Sequence, residues 1–154
     1  MIDDYITFMK KVLVPCANKI LLEHFEIYCE GKDIGIEIKS DNTPAIHADL
    51  KTEEALRLLI KERYPNHGIW GEELGAENIE SDYVWVLDPL DGTREFLAKK
   101  KGCFGTLIGL LYKGKPVAGS ISDPINSRLC ISNENKSIAI ETSFIKDSVI
   151  ACTN

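Results

Sequence analysis

Asp88-Pro89-Leu90-Asp91-Gly92-Thr93 is the stretch that decides how this chain is read. It follows Tyr83-Val84-Trp85-Val86-Leu87, an apolar run rich in β-branched and aromatic residues, the pattern of a buried strand. Pro89 has no N–H to give to a ladder, so the strand is predicted to stop there. Asp88 and Asp91 then project from the strand's carboxyl end, where α/β-type sheets place ligands. Gly92 permits close backbone approach, and the amides of Gly92 and Thr93 open a short helix able to accept an anion. Hard oxygen ligands beside an anion cradle suit Mg²⁺ together with a phosphate. On turn chemistry alone, the same residues also read as an Asp-Pro turn and an Asp N-cap.

Outward from this motif, the pattern alternates between helix and strand signals. From Ile2 to Phe25, Tyr5, Ile6, Met9, Val12, Leu13, Ile20 and Leu21 recur at three- and four-residue spacings, predicting an amphipathic helix kinked or broken at Pro15. Ile34, Ile36 and Ile38 alternate with Gly35 and Glu37 as a strand does. A second helix is predicted from about Asp49 to Tyr64, with Asp49 as a capping residue and Leu56, Leu59 and Ile60 as its apolar stripe. His67 before Gly68 reads as a turn residue, and no second His stands at ligand spacing. Glu73 reads as a supporting or surface acid. Downstream, Leu107 to Tyr112 and Pro116 to Ile121 flank a Lys113-Gly114-Lys115 turn. Ser127 to Ser132 and Ser137 to Glu141 flank a second turn, and Ser148 to Cys152 reads as a further strand. Antiparallel strands behind long helices indicate an α+β fold.

The 154 residues are 44% hydrophobic and 27% charged, enough for one globular domain with a sizeable core. A formal charge of −6 leaves no electrostatic footprint for nucleic acid or an anionic membrane. Lys99-Lys100-Lys101, the only basic cluster, reads as a solvated loop. No stretch approaches the ~18 apolar residues of a membrane span. The acidic Met1-Ile2-Asp3-Asp4 start is unlike a signal peptide. Cys16, Cys29, Cys103, Cys130 and Cys152 are odd in number and lack metal spacing, so they read as reduced, mostly structural thiols of a cytoplasmic protein.

Two upstream segments keep company with the central motif. They are Gly71-Glu72-Glu73 and Lys39-Ser40-Asp41-Asn42-Thr43-Pro44-Ala45-Ile46-His47-Ala48-Asp49. In this order and spacing the three resemble the inositol monophosphatase superfamily of Mg²⁺-dependent, lithium-sensitive phosphatases. The resemblance implies a layered α+β sandwich of the inositol monophosphatase and sugar phosphatase type. Residues 1–147 would be its amino-terminal metal-binding subdomain, with long helices packed on an antiparallel sheet. Residues 148–154 would be the first strand of a second subdomain.

The resemblance also assigns roles. Glu72, Asp88 and the Leu90 carbonyl become ligands of a first, catalytic Mg²⁺, and Asp88 bridges to a second ion also held by Asp91. Thr93 orients the attacking water, with Asp49 as its base-side partner, and the Gly92 and Thr93 amides hold phosphate. Lys39 and Asp41 fall in a mobile loop that completes the site, and Arg94 is placed to contact substrate. The family often has Thr at the position of Ile46. Its third metal-binding Asp, in a Trp-Asp-x-Ala-Ala-Gly-like segment, lies beyond Asn154, which predicts an under-coordinated second ion.

His67-Gly68-Ile69, Arg94 and Phe104-Gly105-Thr106-Leu107-Ile108 point to the histidinol-phosphatase branch. Arg94-Glu95-Phe96 is close to the Lys-Glu-Phe of 3'(2'),5'-bisphosphate nucleotidases. The expected activity is hydrolysis of a small phosphate monoester, histidinol phosphate or inositol phosphate, by a cytoplasmic homodimer with no nucleic-acid or membrane partner. The competing expectation is a catalytically incomplete remnant that serves as a structural or regulatory oligomer partner.

Overall fold

The computed structural model describes residues 2–38, 40, 44–133 and 136–141. Lys39, Asp41 and the strand expected at 148–154 lie outside the described residues. The first helix passes Pro15 without breaking, contrary to expectation. It runs as α1 (Ile2–Phe8), a π-helical turn (Met9–Leu13) and α2 (Val14–Cys29). Pro15 sits in the first turn of α2, where its missing N–H matters least. The irregularity falls one turn earlier, on Met9–Leu13, whose Met9 and Leu13 are buried.

A small hairpin of β1 (Ile36–Ile38) and β2 (Pro44–Ile46) leads into α3 (His47–Arg63). The remaining strands are β3 (Gly68–Gly71), β4 (Gly75–Glu77), β5 (Tyr83–Asp91), β6 (Gly105–Tyr112), β7 (Lys115–Asp123), β8 (Arg128–Asn133) and β9 (Lys136–Glu141), with α4 (Thr93–Leu97) after β5. They form one seven-stranded sheet in the order β4-β3-β5-β6-β7-β8-β9. From β5 to β9 every pairing is antiparallel. The strands after residue 104 form the expected antiparallel run, and the sheet becomes mixed only at β3, which runs parallel to β5. The short runs of β3 and β4, with three glycines in Gly68–Gly75, carry too little alternation to mark them as strands.

The amino-terminal helices cover one face of this sheet. Met9, Leu13, Leu56 and Ile60 pack on Trp85, Leu87, Ile108, Leu110, Leu129 and Ile131, all at or near zero exposure. His67 closes a turn, its N–H donating to the Tyr64 carbonyl at 3.0 Å, but its side chain is engaged rather than free. Its ring stacks between Tyr64 and Tyr83, with centroids 4.8 and 4.9 Å away, and its Nδ1 accepts the Trp85 indole N–H at 3.1 Å. Burial lowers the His67 pKa, which keeps the acceptor nitrogen free for that bond.

The opposite sheet face is open. A concavity of about 400 Å³ lies over Val86, Leu107, Gly109, Gly119, Ile121 and Cys130, and Ile121 is 58% exposed. Among the described cysteines only Cys16 is buried, while Cys29, Cys103 and Cys130 are exposed, so the reading of mostly structural thiols is corrected. Among the described residues no helix is long and apolar enough to cross a membrane.

Candidate functional site

A second, smaller core sets the platform for the acidic residues. Leu21 and Phe25 from α2 meet Ile46, Ala48, Leu90, Phe96 and Phe104. Phe25, Phe96 and Phe104 form an aromatic trio with centroids 4.8–5.1 Å apart, which fixes α4 and the turn before it. β5 does not stop at Pro89, as expected, but continues to Asp91 across a bulge. Asp88 faces Leu107 and Asp91 faces Gly105, so two residues of β5 oppose Thr106 alone. The buried Thr106 hydroxyl donates to the Pro89 carbonyl at 2.9 Å and takes the place of a ladder bond. In an unbroken strand, residues three apart point to opposite faces; the extra residue re-aims the chain so that Asp91 acts electrostatically on Asp88.

Gly92 follows with φ +85°, and a Cβ there would stand 2.6 Å from the Cys103 carbonyl oxygen. Only glycine satisfies both demands. The Thr93 hydroxyl donates to the Leu90 carbonyl at 3.2 Å. Arg94 and Asp91 are exposed.

Glu72 arrives from the other side. It follows β3, and its backbone N–H donates to the Leu87 carbonyl at 3.1 Å, which brings it beside the end of β5. Asp49 comes from α3, where it is the third helical residue rather than the residue before the helix. Its Oδ2 accepts the Ile46 N–H at 3.1 Å, and its side chain is buried.

Asp88 is the electrostatic centre. Burial, the Glu72 carboxylate hydrogen-bonded to it, and the charges of Asp91 and Asp49 together push its pKa from 3.8 up to about 7. Asp88 Oδ1 is buried with no hydrogen-bond partner. Thus Glu72, Asp88, Asp91 and Asp49 share one neighbourhood. Among the described residues, however, no three His, Cys, Asp or Glu side chains converge closely enough to ligate a single ion. A concavity of about 530 Å³ opens beside Glu72, lined also by Glu37, Ile46, His47, Leu50 and Glu73.

One residue of the neighbourhood was missed in the sequence. Glu53 of α3 is wholly buried, and its carboxylate accepts the N–H groups of Glu73 and Leu74 at 2.7 and 3.1 Å. Its only sequence signal is a stripe of charges four residues apart on α3: Asp49, Glu53, Arg57 and Lys61.

The profile described as "Inositol monophosphatase family" matches residues 3–148. The chain belongs to the inositol monophosphatase family. It is 43% identical over 115 residues to the "Bifunctional phosphatase IMPL2, chloroplastic" of Arabidopsis thaliana, covering 73% of this chain and 32% of that protein. It is 29% identical over 139 residues to the histidinol-phosphatase of Chlorobaculum parvum, covering 90% of this chain and 52% of that protein. Among solved structures it superimposes on the extragenic suppressor protein suhB of Bartonella henselae with a TM-score of 0.76 at 26% identity, covering 82% of this chain and 48% of that one. The chain thus spans about a third to a half of these relatives. The α+β fold expected from the residues is the fold of this family.

Proposed function

We propose that this chain is the metal-holding part of a phosphomonoesterase that hydrolyses a small phosphate monoester, histidinol phosphate or inositol phosphate. The observation that carries the reading is the uncompensated acidic centre at Asp88. Like charges at this density resist ionisation, and a divalent cation reverses that balance. The partnerless buried Oδ1 of Asp88 and an all-oxygen donor set fit a hard ion such as Mg²⁺. Glu72, Asp88 and the Leu90 carbonyl would hold one Mg²⁺; Asp88 and Asp91 would hold a second.

Bound Mg²⁺ supplies Lewis-acid stabilisation of developing charge and lowers the pKa of a bound water. The chain's own residues do the rest. The Thr93 hydroxyl orients the attacking water, and Asp49, rigidly held through Oδ2, serves as its base-side partner. Backbone N–H groups of Gly92 and Thr93 bind phosphate oxygens. Beside Glu72, the acid-lined concavity has room for the alcohol portion of a small metabolite. Such walls repel a bare phosphate and favour one accompanied by a cation. Arg94 stands exposed at the start of α4, within the same turn, to contact the substrate. Lys39 and Asp41 would complete the site from the preceding loop, in a cytoplasmic homodimer.

The test titrates Mg²⁺ calorimetrically and measures phosphate release from histidinol phosphate and inositol phosphate, with and without Li⁺. Mg²⁺ binding and Mg²⁺-dependent release, both abolished by Asp88→Asn, are the expected results. Release that survives Asp88→Asn would refute the role given to Asp88, and no Mg²⁺ binding would refute the metal assignment itself.

A further inference from the structure

We infer that Glu53 is a positioning residue: its buried carboxylate, clamped by Arg57, fixes the turn that presents Glu72 to Asp88. The inference rests on the reading of Glu72 and Asp88 as cation ligands.

Glu53 has 0% exposure, and a carboxylate so placed is costly unless paired and hydrogen-bonded. Here it is both. Oε1 accepts Arg57 Nε at 2.8 Å and the Leu74 N–H at 3.1 Å, while Oε2 accepts the Glu73 N–H at 2.7 Å. Arg57 carries the anchor across the hairpin. Its Nη2 donates to the Gly75 carbonyl, and its Nη1 reaches Glu77 Oε2 at 3.4 Å. Gly71 completes the seat, because a Cβ at that position would overlap the Glu53 carboxylate.

Glu72 is therefore held from both sides. Its own amide is tied to β5 through Leu87, and the next two amides are tied to α3 through Glu53. An exposed turn of a short hairpin has no need of a buried ion pair for folding, since well-packed apolar groups serve stability as well or better. What the pair fixes is the position of Glu72. The same helix carries Asp49 one turn earlier, so α3 sets two acids of the centre at once.

The experiment uses the full chain with Glu53→Gln, which keeps size and removes the charge. Three readouts are taken: Mn²⁺ affinity by electron paramagnetic resonance, amide hydrogen exchange without metal, and thermal melting. The variant is expected to exchange the Glu72, Glu73 and Leu74 amides faster, to retain protection in β5, and to bind Mn²⁺ roughly 10–100-fold more weakly. Should Glu53→Gln fail to fold, Arg57→Lys keeps a charge beside Glu53 and withdraws the fork that holds Gly75; about tenfold weaker Mn²⁺ binding is expected. Faster exchange with unchanged Mn²⁺ affinity in a folded variant would reduce the anchor to a structural one and overturn the inference. Unchanged exchange would overturn it as well. Absence of Mn²⁺ binding by the unaltered chain would instead remove the ligand reading, and it is told apart because it appears before any substitution is made.

Discussion

Replacing Asp88 with Asn should stabilise the metal-free protein while destroying its cation site. The Asp88 carboxyl has its pKa raised from 3.8 to about 7, first by burial and then by Glu72, Asp91 and Asp49. A folded-state value above the unfolded one means that the folded chain binds more protons between those limits, so stability falls as pH rises from about 4 to about 7. Each tenfold step in proton affinity is worth about 1.4 kcal/mol, which gives about 4 kcal/mol across the interval. The side chain is only half-buried, and solvent screening leaves roughly half, about 2 kcal/mol. Asn keeps the shape of the neutral acid and can donate to Glu72, so Asp88→Asn escapes the penalty.

For a chain of this size, about 2 kcal/mol corresponds to roughly 4–8 °C in melting temperature. Thermal unfolding in a chelator, at pH 4, 6 and 8, is the assay. The variant should match the unaltered protein at pH 4 and exceed it by several degrees at pH 8. Adding Mg²⁺ should reverse the order, because ligand binding stabilises only the protein that retains Asp88. A difference that does not grow with pH, or a variant less stable at pH 8, would refute the placement of an uncompensated carboxylate at the centre of the site.

Two further outcomes are expected. His67 behaves oppositely to Asp88, since burial lowers its pKa: its contribution to stability is present above about pH 6.5 and is lost as pH falls toward the folded value. With Trp70→Phe leaving Trp85 as sole indole, an acid-induced change in Trp85 emission that disappears in His67→Phe checks this, and a pH-flat signal would contradict it. On the open sheet face, Ile121→Glu should suppress any concentration-dependent association seen by sedimentation, because it charges the centre of an exposed apolar concavity. Association that survives the substitution would place the contact elsewhere.

Elements with strong period or punctuation were legible in the sequence. The strand into Asp88, the helix of Leu56 and Ile60, and the hairpins after Gly105 all follow from apolar spacing and turn residues. What escaped was set by contacts distant in sequence. Pro89 is a strand breaker by local rule, yet the chain passes it as a bulge in which the hydroxyl of a threonine 17 residues away donates to the Pro89 carbonyl. Glu53 looks like one more exposed helical acid until the hairpin of Gly71 and Gly75 folds over it. His67 becomes an acceptor only because Tyr64, Tyr83 and Trp85 enclose it.

These misses share a cause, and it bears on the site. Each is a polar group whose value depends on a partner from another element, and such groups hold functional side chains in place. Asp88 and Asp91 are set by a bulge that Thr106 and the Phe25–Phe96–Phe104 core maintain. Glu72 is set by Leu87 and by Glu53 of α3. Asp49 is set by α3 and the Ile46 amide. These anchors deliver like charges to one neighbourhood, which raises the cost of ionising Asp88 without a cation. Local propensity could not have produced it, since the ionised Asp88 carboxylate is a group that the metal-free fold would be more stable without. That cost is the strongest physical argument that the acids are there to be neutralised.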